Sequence, residues 1–370
     1  MRTVILGAGY AGATCAHLLD DKIDELVWVS EDDYHFVVHE AHRLVREPSL
    51  EGTLRIPVDE IASCDFVEAR VESVEFDERV VETDAGTVPY DRLVVAFGQR
   101  TADYGIDGVR QHGLTLKSLD DARAIRATAE RVPDGGRVVV AGGGLSGIQV
   151  AGELAEMFDA RAKSPSVVVV EALDRVMPEA DEDLRAAIER KMRKKGIVTR
   201  TGDAVVEATT DEVHFESGET LAHDALVWTA GLAPQDVETR PPPENGRRGA
   251  FAVEPTLRVK GHERVFAVGD AAYVVDVEGN EAPPTAWAAR QQGSLVAENV
   301  VRASRAKPLK EYRMRNPGTL VSVGDATVGK VAGQVIEGVP ARVLKRGAAV
   351  RHIAQTSGAE RGVKSVLADL

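Results

Sequence analysis

Twice in 370 residues this chain passes from a short apolar stretch into Gly-x-Gly-x-x-Gly and straight on into a helix-forming segment. In the first copy Thr3-Val4-Ile5-Leu6 precedes Gly7, Gly9 and Gly12, and residues 13–20 read as the helix and 26–29 as the next strand. In the second, the strand 137–141 precedes Gly142, Gly144 and Gly147, followed by a helix over 148–158 and a strand over 167–170. Such a turn lets the backbone approach a pyrophosphate, while the start of the helix offers free N–H groups and the positive end of its dipole. Two copies, each between strand and helix, predict an α/β fold with two Rossmann-like dinucleotide-binding domains and two nucleotide sites, not two structural turns.

At about 150 residues per domain, the length accommodates two domains and a tail. Residues 65–82 and 205–215 read as strands, with turns at Gly86 and Gly218, and each region leads into an apolar strand that ends in glycine, at Gly98 and Gly231. Pro241-Pro-Pro-Glu-Asn-Gly is the clearest linker. Past it, Val265-Phe-Ala-Val closes in Gly269-Asp270, and 284–303 reads as a helix opened by proline. The domains are therefore expected to interleave: 1–108 with 249–316, then 109–248, then a C-terminal segment 317–370.

The 45 Lys and Arg against 59 Asp and Glu leave a net charge of −14, which excludes a general nucleic-acid partner. Two cysteines, Cys15 and Cys64, form no disulfide framework and no metal cluster, so no metal site is expected and a reducing, cytoplasmic setting fits. The N-terminus runs directly into a strand, and neither export nor a membrane span is expected. From Pro317 on, seven Lys and Arg outnumber four Asp and Glu. There Val363, Val366, Leu367 and Leu370 share one helical stripe, and Val343, Gly347, Val350 and Ala354 form a weaker one beside Arg342, Lys345 and Arg346. This basic amphipathic end suits an anionic lipid surface, or equally packing on the body or on a second subunit.

Glu171 follows the strand 167–170, where a carboxylate accepts hydrogen bonds from an adenosine ribose and repels a 2′-phosphate, favouring NADH over NADPH; Arg175 is the one nearby cation. In the first copy Glu31, or Ser30, holds the corresponding place.

Taken with Tyr34-His35-Phe36, His39-Glu40-Ala41, the strand 90–98, Ala151-Gly-Glu-Leu-Ala155, Val227-Trp-Thr-Ala-Gly231 and Pro283-Pro-Thr-Ala286, these motifs resemble those of the type II NADH dehydrogenases, the single-chain NADH:quinone oxidoreductases. The resemblance implies FAD in the first domain, bound by Gly7, Gly9, Tyr10, Ala11, Gly12, Ser30, Glu31, Val71, Ala96, Gly98, Gly269, Asp270 and Ala286. It implies NADH in the second, bound by Gly142, Gly144, Leu145, Ser146, Gly147, Glu171 and Gly231. The implied reaction is hydride transfer from NADH to FAD and then passage of two electrons to a membrane quinone, without proton pumping. A homodimer, peripheral on the inner face of the cell membrane, is the matching expectation. The helix after Pro284 would aim its N-terminus at the flavin's pyrimidine edge.

Thr285, Trp287, Gln291 and Gln149 are the catalytic candidates, and two of them depart from the family. Trp287 stands where the family commonly carries a first glutamine, and Gln149 where it often carries a proton-coupling glutamate, so either His35, His39 or water takes over at the quinone step or the acceptor differs. Glu153 is a nicotinamide-side contact or a solvated helix residue. His17, His112, His214, His223, His262 and His352 read as surface or packing histidines, and both cysteines as small buried apolar residues. Two alternatives share the fold: a soluble NADH-dependent reductase of a ferredoxin- or rubredoxin-like protein, and a flavin-binding regulatory protein that has lost turnover.

Overall fold

The computed structural model describes residues 1–315 and 317–358. The apolar run that precedes each glycine turn becomes the central strand of a five-stranded, all-parallel sheet. In the first sheet Arg2–Leu6 is flanked by Glu25–Ser30 and then Asp65–Glu68 on one side, and by Arg92–Val95 and then Val265–Ala267 on the other. In the second, Arg137–Ala141 is flanked by Ser166–Glu171 and Val198–Thr201, and by Ala225–Trp228 and Gly113–Leu114. Both faces of a parallel sheet are covered, so its strands read as unbroken Val, Ile and Leu; Val4, Ile5 and Leu6 are fully buried. Chain order reverses at each central strand, which opens a crevice at its carboxyl end.

The helices that leave the turns are longer than sequence alone suggests. Tyr10–Leu19 starts immediately after Gly9, and Leu145–Ala160 immediately after Gly144. Their close approach to the sheet depends on the third glycine of each motif. A Cβ at Gly12 would lie 2.0 Å from the Gly7 carbonyl oxygen, and one at Gly147 would lie 1.9 Å from that of Gly142.

Antiparallel meanders extend both units. Val71–Glu75, Val80–Thr83 and Gly86–Pro89 form one, which Glu238–Arg240 joins in parallel. Val205–Ala208, Glu212–Phe215 and Thr220–Ala222 form the other. The chain's two passages between units lie side by side, Gln99–Thr101 pairing antiparallel with Leu232–Pro234. The late helix spans Ala286–Ser304, two residues later than the prolines suggest, because Thr285 caps it: its Oγ1 accepts a hydrogen bond from the Ala288 N–H at 3.3 Å.

The segment after Pro317 is more than an amphipathic end. Thr319–Val323, Ala326–Val331 and Gln334–Glu337 form an antiparallel sheet, and Val339–Ser357 is a helix that packs back on the body. The stripe of Val363, Val366, Leu367 and Leu370 lies outside the described residues.

This segment docks by burying Val321, Val323, Val328 and Ile353 in the main core, and also through small residues and buried polar groups. Gly152, on the helix Leu145–Ala160, lets the tail's backbone come so near that a Cβ there would sit 2.2 Å from the Gly324 nitrogen. His352 and His35 are fully buried and share a hydrogen bond between their Nε2 atoms at 2.8 Å, and His35 Nδ1 donates to the Ala8 carbonyl in the first glycine turn at 2.7 Å. His352 is therefore no surface histidine; it links the last helix to the first turn. Glu153, too, is not a solvated helix residue. It is buried, and accepts from Arg46 Nε at 2.7 Å while Arg46 also pairs with Asp325 of the tail at 2.9 Å.

Two expected outcomes follow from this docking. Gly152→Val puts methyl groups into backbone and should destabilise the folded chain by about 1–3 kcal/mol in urea unfolding, the usual cost of overpacking; unchanged stability would contradict the contact. Burial pushes the His35 imidazole down to about 4, whereas an unfolded histidine takes up its proton near pH 6.5. Between those values the unfolded state binds the extra proton, so the contribution of His35 to stability is complete above about pH 6.5 and falls by about 3 kcal/mol as pH drops to 4. His35→Gln should remove that share and leave a shallower slope from the other desolvated imidazoles, His39, His42 and His352, read by urea midpoints across the range.

Candidate cofactor clefts and acceptor site

Each turn places an unblocked helix N-terminus at the crevice of its sheet. Gly9 and Gly144 are the N-cap residues, both in extended backbone, and neither helix has a side chain capping it or an acid in its first turn. The first intrahelical bonds are Ala13 N to Gly9 O and Ile148 N to Gly144 O, so the amides of Tyr10, Ala11 and Gly12, and of Leu145, Ser146 and Gly147, remain for an anion. A Cβ at Gly144 would meet no protein atom within 4 Å, and one at Gly9 only the Ala96 carbonyl at 3.8 Å. The second glycine of each motif thus borders open space, the shape a diphosphate needs.

In the first cleft, Gly269 is drawn against Ala11 and the helix Ala286–Ser304, and its N–H donates to the buried Gln292 Oε1 at 2.7 Å. That contact fixes Asp270 at the cavity that Gln99, Arg248, Gly269, Thr285 and Gln292 also line. Burial raises the Asp270 carboxyl, against the pull of Lys117 and Arg248. Neither cation stands out in the sequence as a site residue, since both reach Asp270 from distant segments. Ala96 sits at the carboxyl end of its strand beside Gly9, with its N–H bonded to Leu6 O at 2.9 Å, and Gly98 follows with φ +70°. Glu31 lies exposed just past the strand Glu25–Ser30, and the Ser30 carbonyl holds Ala69, next to the strand that begins at Val71.

In the second cleft Glu171 is held by backbone: its carboxylate accepts from Gly143 N at 2.7 Å and Leu173 N at 2.9 Å. It stands at the end of its strand beside Gly143, the middle residue of the turn. Arg175 pairs with its neighbour Asp174 at 2.7 Å, not with Glu171. Gly231 takes φ +68° at the end of the opposite strand, and its carbonyl accepts from Ala102 N at 3.4 Å.

At the far end of the first cleft the expected amides are already engaged. Gln291 clasps the backbone of Arg315, donating from Nε2 to its carbonyl at 3.0 Å and accepting from its N–H at 3.1 Å. Trp287 Nε1 donates to the same carbonyl at 2.8 Å. Gln149 is buried and donates to Ser322 Oγ of the tail at 3.2 Å.

Beside Gln149 is a cluster that sequence could not assemble. Lys345 Nζ donates to Ser322 Oγ at 2.7 Å and faces Glu40 at 3.5 Å, and His42 Nε2 lies 3.0 Å from Ser322 Oγ. Burial alone would raise Glu40, but Lys345, with Arg43 at 3.5 Å, holds the carboxyl down to about 2. Burial lowers His42, His39 and Lys345. The Tyr10 hydroxyl bonds to His39 Nδ1, and its ring lies 4.5 Å from that of His352. Residues around 40 and 350 meet only when the tail folds back, so no local pattern in the sequence marks the cluster.

Cys15 is buried and Cys64 half-buried, both unpaired, and no group of metal-ligating side chains occurs among the described residues.

Comparison with known proteins agrees with this geometry. The chain is 26% identical to the type II NADH:quinone oxidoreductases of Staphylococcus saprophyticus and Staphylococcus aureus, over 93% of both chains in each case. The NDH2 of Plasmodium falciparum, solved in complex with NADH, superposes with a TM-score of 0.88 over 99% of this chain and 97% of its own, at 15% identity. The sulfide:quinone oxidoreductase of Aquifex aeolicus superposes at 0.82 over 97% and 92%, at 17% identity. The model of the pyridine nucleotide-disulphide oxidoreductase family matches residues 1–293, and the chain belongs to that family.

Proposed function

We propose that the chain is an FAD-dependent NADH:quinone oxidoreductase of type II. The observation that carries this reading is the pair of open, uncapped glycine-turn helices, joined to relatives of that activity matched along nearly their whole length. FAD fits the first cleft, its diphosphate against Gly7, Gly9, Tyr10, Ala11 and Gly12 and its ribitol at Asp270. NADH fits the second, at Gly142, Gly144, Leu145, Ser146 and Gly147. When bound, the flavin supplies the two-electron exchange between nicotinamide and quinone.

The protein's part is positional and electrostatic. Glu171, already oriented by two backbone amides, presents its carboxylate edge to a ribose diol and repels a 2′-phosphate. Thr285 spends its hydroxyl on capping, and the helix that begins at Ala286 leaves a positive dipole end at the cleft that favours negative charge placed there. Gln291 and Trp287 fasten that helix to the backbone at Arg315, which fixes the wall of the acceptor end. With an amide at 149, no carboxylate there competes with Glu40 for Lys345.

The tail sets where a quinone enters. Its last helix turns Ala341, Ala349, His352, Ile353 and Thr356 inward and leaves Val339, Val343 and Leu344 exposed beside the basic Arg346. No helix among the described residues is long and apolar enough to cross a membrane. The face is that of a helix lying on an anionic lipid surface, each cation contributing about 1 kcal/mol.

Two experiments test the reading. The purified chain should be yellow, lose its flavin absorbance with NADH under anaerobic conditions, and regain it on addition of a soluble short-chain quinone; NADPH should be at least about tenfold less effective, the worth of roughly 1.4 kcal/mol. Flavin reduction without reoxidation by quinone would favour a protein acceptor, and a colourless chain would end the proposal. Val343→Glu with Leu344→Glu should abolish cosedimentation with anionic phospholipid vesicles while leaving turnover of a soluble quinone. If sedimentation velocity instead shows those changes splitting a dimer, the face belongs to a second copy of the chain.

A further inference from the structure

Beyond the residues that the motifs mark, we infer that Arg290 is the cation that receives a carbonyl oxygen of the quinone; the inference rests on the quinone-reducing reading above. Arg290 lies on the helix Ala286–Ser304, between Ala289 against Gly269 and Gln291 against Arg315. Its guanidinium is partly buried and 6.0 Å from the centre of the Trp287 ring. It has no carboxylate partner among the described residues: its hydrogen bond goes to the neutral Gln355 amide oxygen of the last helix. Its charge is felt by Tyr10, His35, His39 and His352, and burial keeps the three imidazoles neutral. Arg351 adds like charge nearby, and with burial it lowers the Arg290 guanidinium.

An uncompensated, half-desolvated guanidinium is costly unless an electron-rich group meets it. The chain's own polar groups do not. Both ends of the Gln291 amide and the Trp287 indole N–H are committed to Arg315, Gln149 is committed to Ser322, and Lys345 to Ser322 and Glu40. Arg351 is exposed, and among these half-buried and buried donors Arg290 carries full charge with only a neutral partner. It stands beside the helix start that faces the first cleft and under the tail helix whose outer side carries Val343 and Leu344. That is the place of an acceptor arriving from a lipid surface.

The chemistry matches. Reduction of a quinone by NADH takes two electrons and two protons onto the two oxygens, one proton arriving with the hydride equivalent and one from solvent. Negative charge gathers on an oxygen before protonation is complete. A guanidinium holds that charge without giving up a proton, being protonated at every working pH. Trp287, in place of an amide, offers a ring face to the quinone ring instead of a hydrogen bond.

The test uses the flavin-loaded full chain and ubiquinone-1 as probe. Quenching of protein fluorescence gives the Kd of the oxidised enzyme, and steady-state assays give KM and kcat. Arg290→Met should raise both Kd and KM for ubiquinone-1 by about 10–100-fold, the loss of one charged hydrogen bond; Arg290→Lys should recover part of it, keeping charge without the planar fork. Equal flavin content in the variants confirms folding. Unchanged Kd and KM in Arg290→Met, with wild-type turnover intact, overturn the inference and leave the quinone-reducing reading standing. If Gln355→Ala reproduces the loss, Arg290 acts only by holding the last helix, and the inference falls. If the wild type binds and reduces no quinone although NADH bleaches its flavin, the reading fails and takes this inference with it.

Discussion

The structure depends on one repeated contact, a helix pressed so near its strand that a carbonyl oxygen occupies the place of a side chain. At Gly12 against Gly7, and at Gly147 against Gly142, no Cβ fits. That approach aims each helix axis at the mouth of its sheet and leaves three amides free at the crevice. Everything chemical in the protein follows from where those two N-termini point. The meanders, the paired passages between units and the returning strand Val265–Ala267 keep them in place.

The tail turns this two-cleft frame into a molecule with a closed end. It docks by burying Val321, Val323, Val328 and Ile353 in the main core and by a set of polar contacts: a glycine against a glycine, a histidine pair, and a lysine facing Glu40 with a serine between it and His42. Burying such groups is tolerable only when each finds a partner and the imidazoles stay neutral. The His35–His352 pair meets that condition through the Ala8 carbonyl, which holds a proton on His35 Nδ1 and leaves Nε2 to accept from His352. The last helix is thereby coupled to the first glycine turn through two histidines 317 positions apart. Lys345 and Glu40 satisfy it as a buried ion pair, which explains why Gln149 serves there: an additional carboxylate would compete for the same ammonium.

Charge is distributed against the average. The chain carries a net −14, yet its acceptor end gathers Arg290, Arg351 and Lys345 around neutral rings. In an acidic protein such a concentration of cations draws electron-rich groups to one place and away from the rest of the surface.

Sequence alone set the strand–turn–helix–strand core of each parallel sheet, its glycine turn and the carboxylate at Glu171, because each depends on neighbours within about thirty residues and on rules of backbone geometry, whereas the flanking strands Arg92–Val95, Val265–Ala267 and Ala225–Trp228 join from far along the chain. It marked Asp270 and Thr285 as well, one following a buried strand and one preceding a helix. Only the tertiary structure decided what the remaining polar residues do. Gln291 and Trp287 look like free site groups until Arg315 folds across them, Glu153 looks solvated until Arg46 reaches it, and His352 looks incidental until it meets His35. Periodicity reports which face of an element is buried; it carries no information about which distant side chain shares that burial, since a hydrogen bond across hundreds of residues leaves no local pattern. The acceptor end, built from segments near 10, 40, 150, 290, 320 and 350, is the part of the protein that chain folding alone brings together.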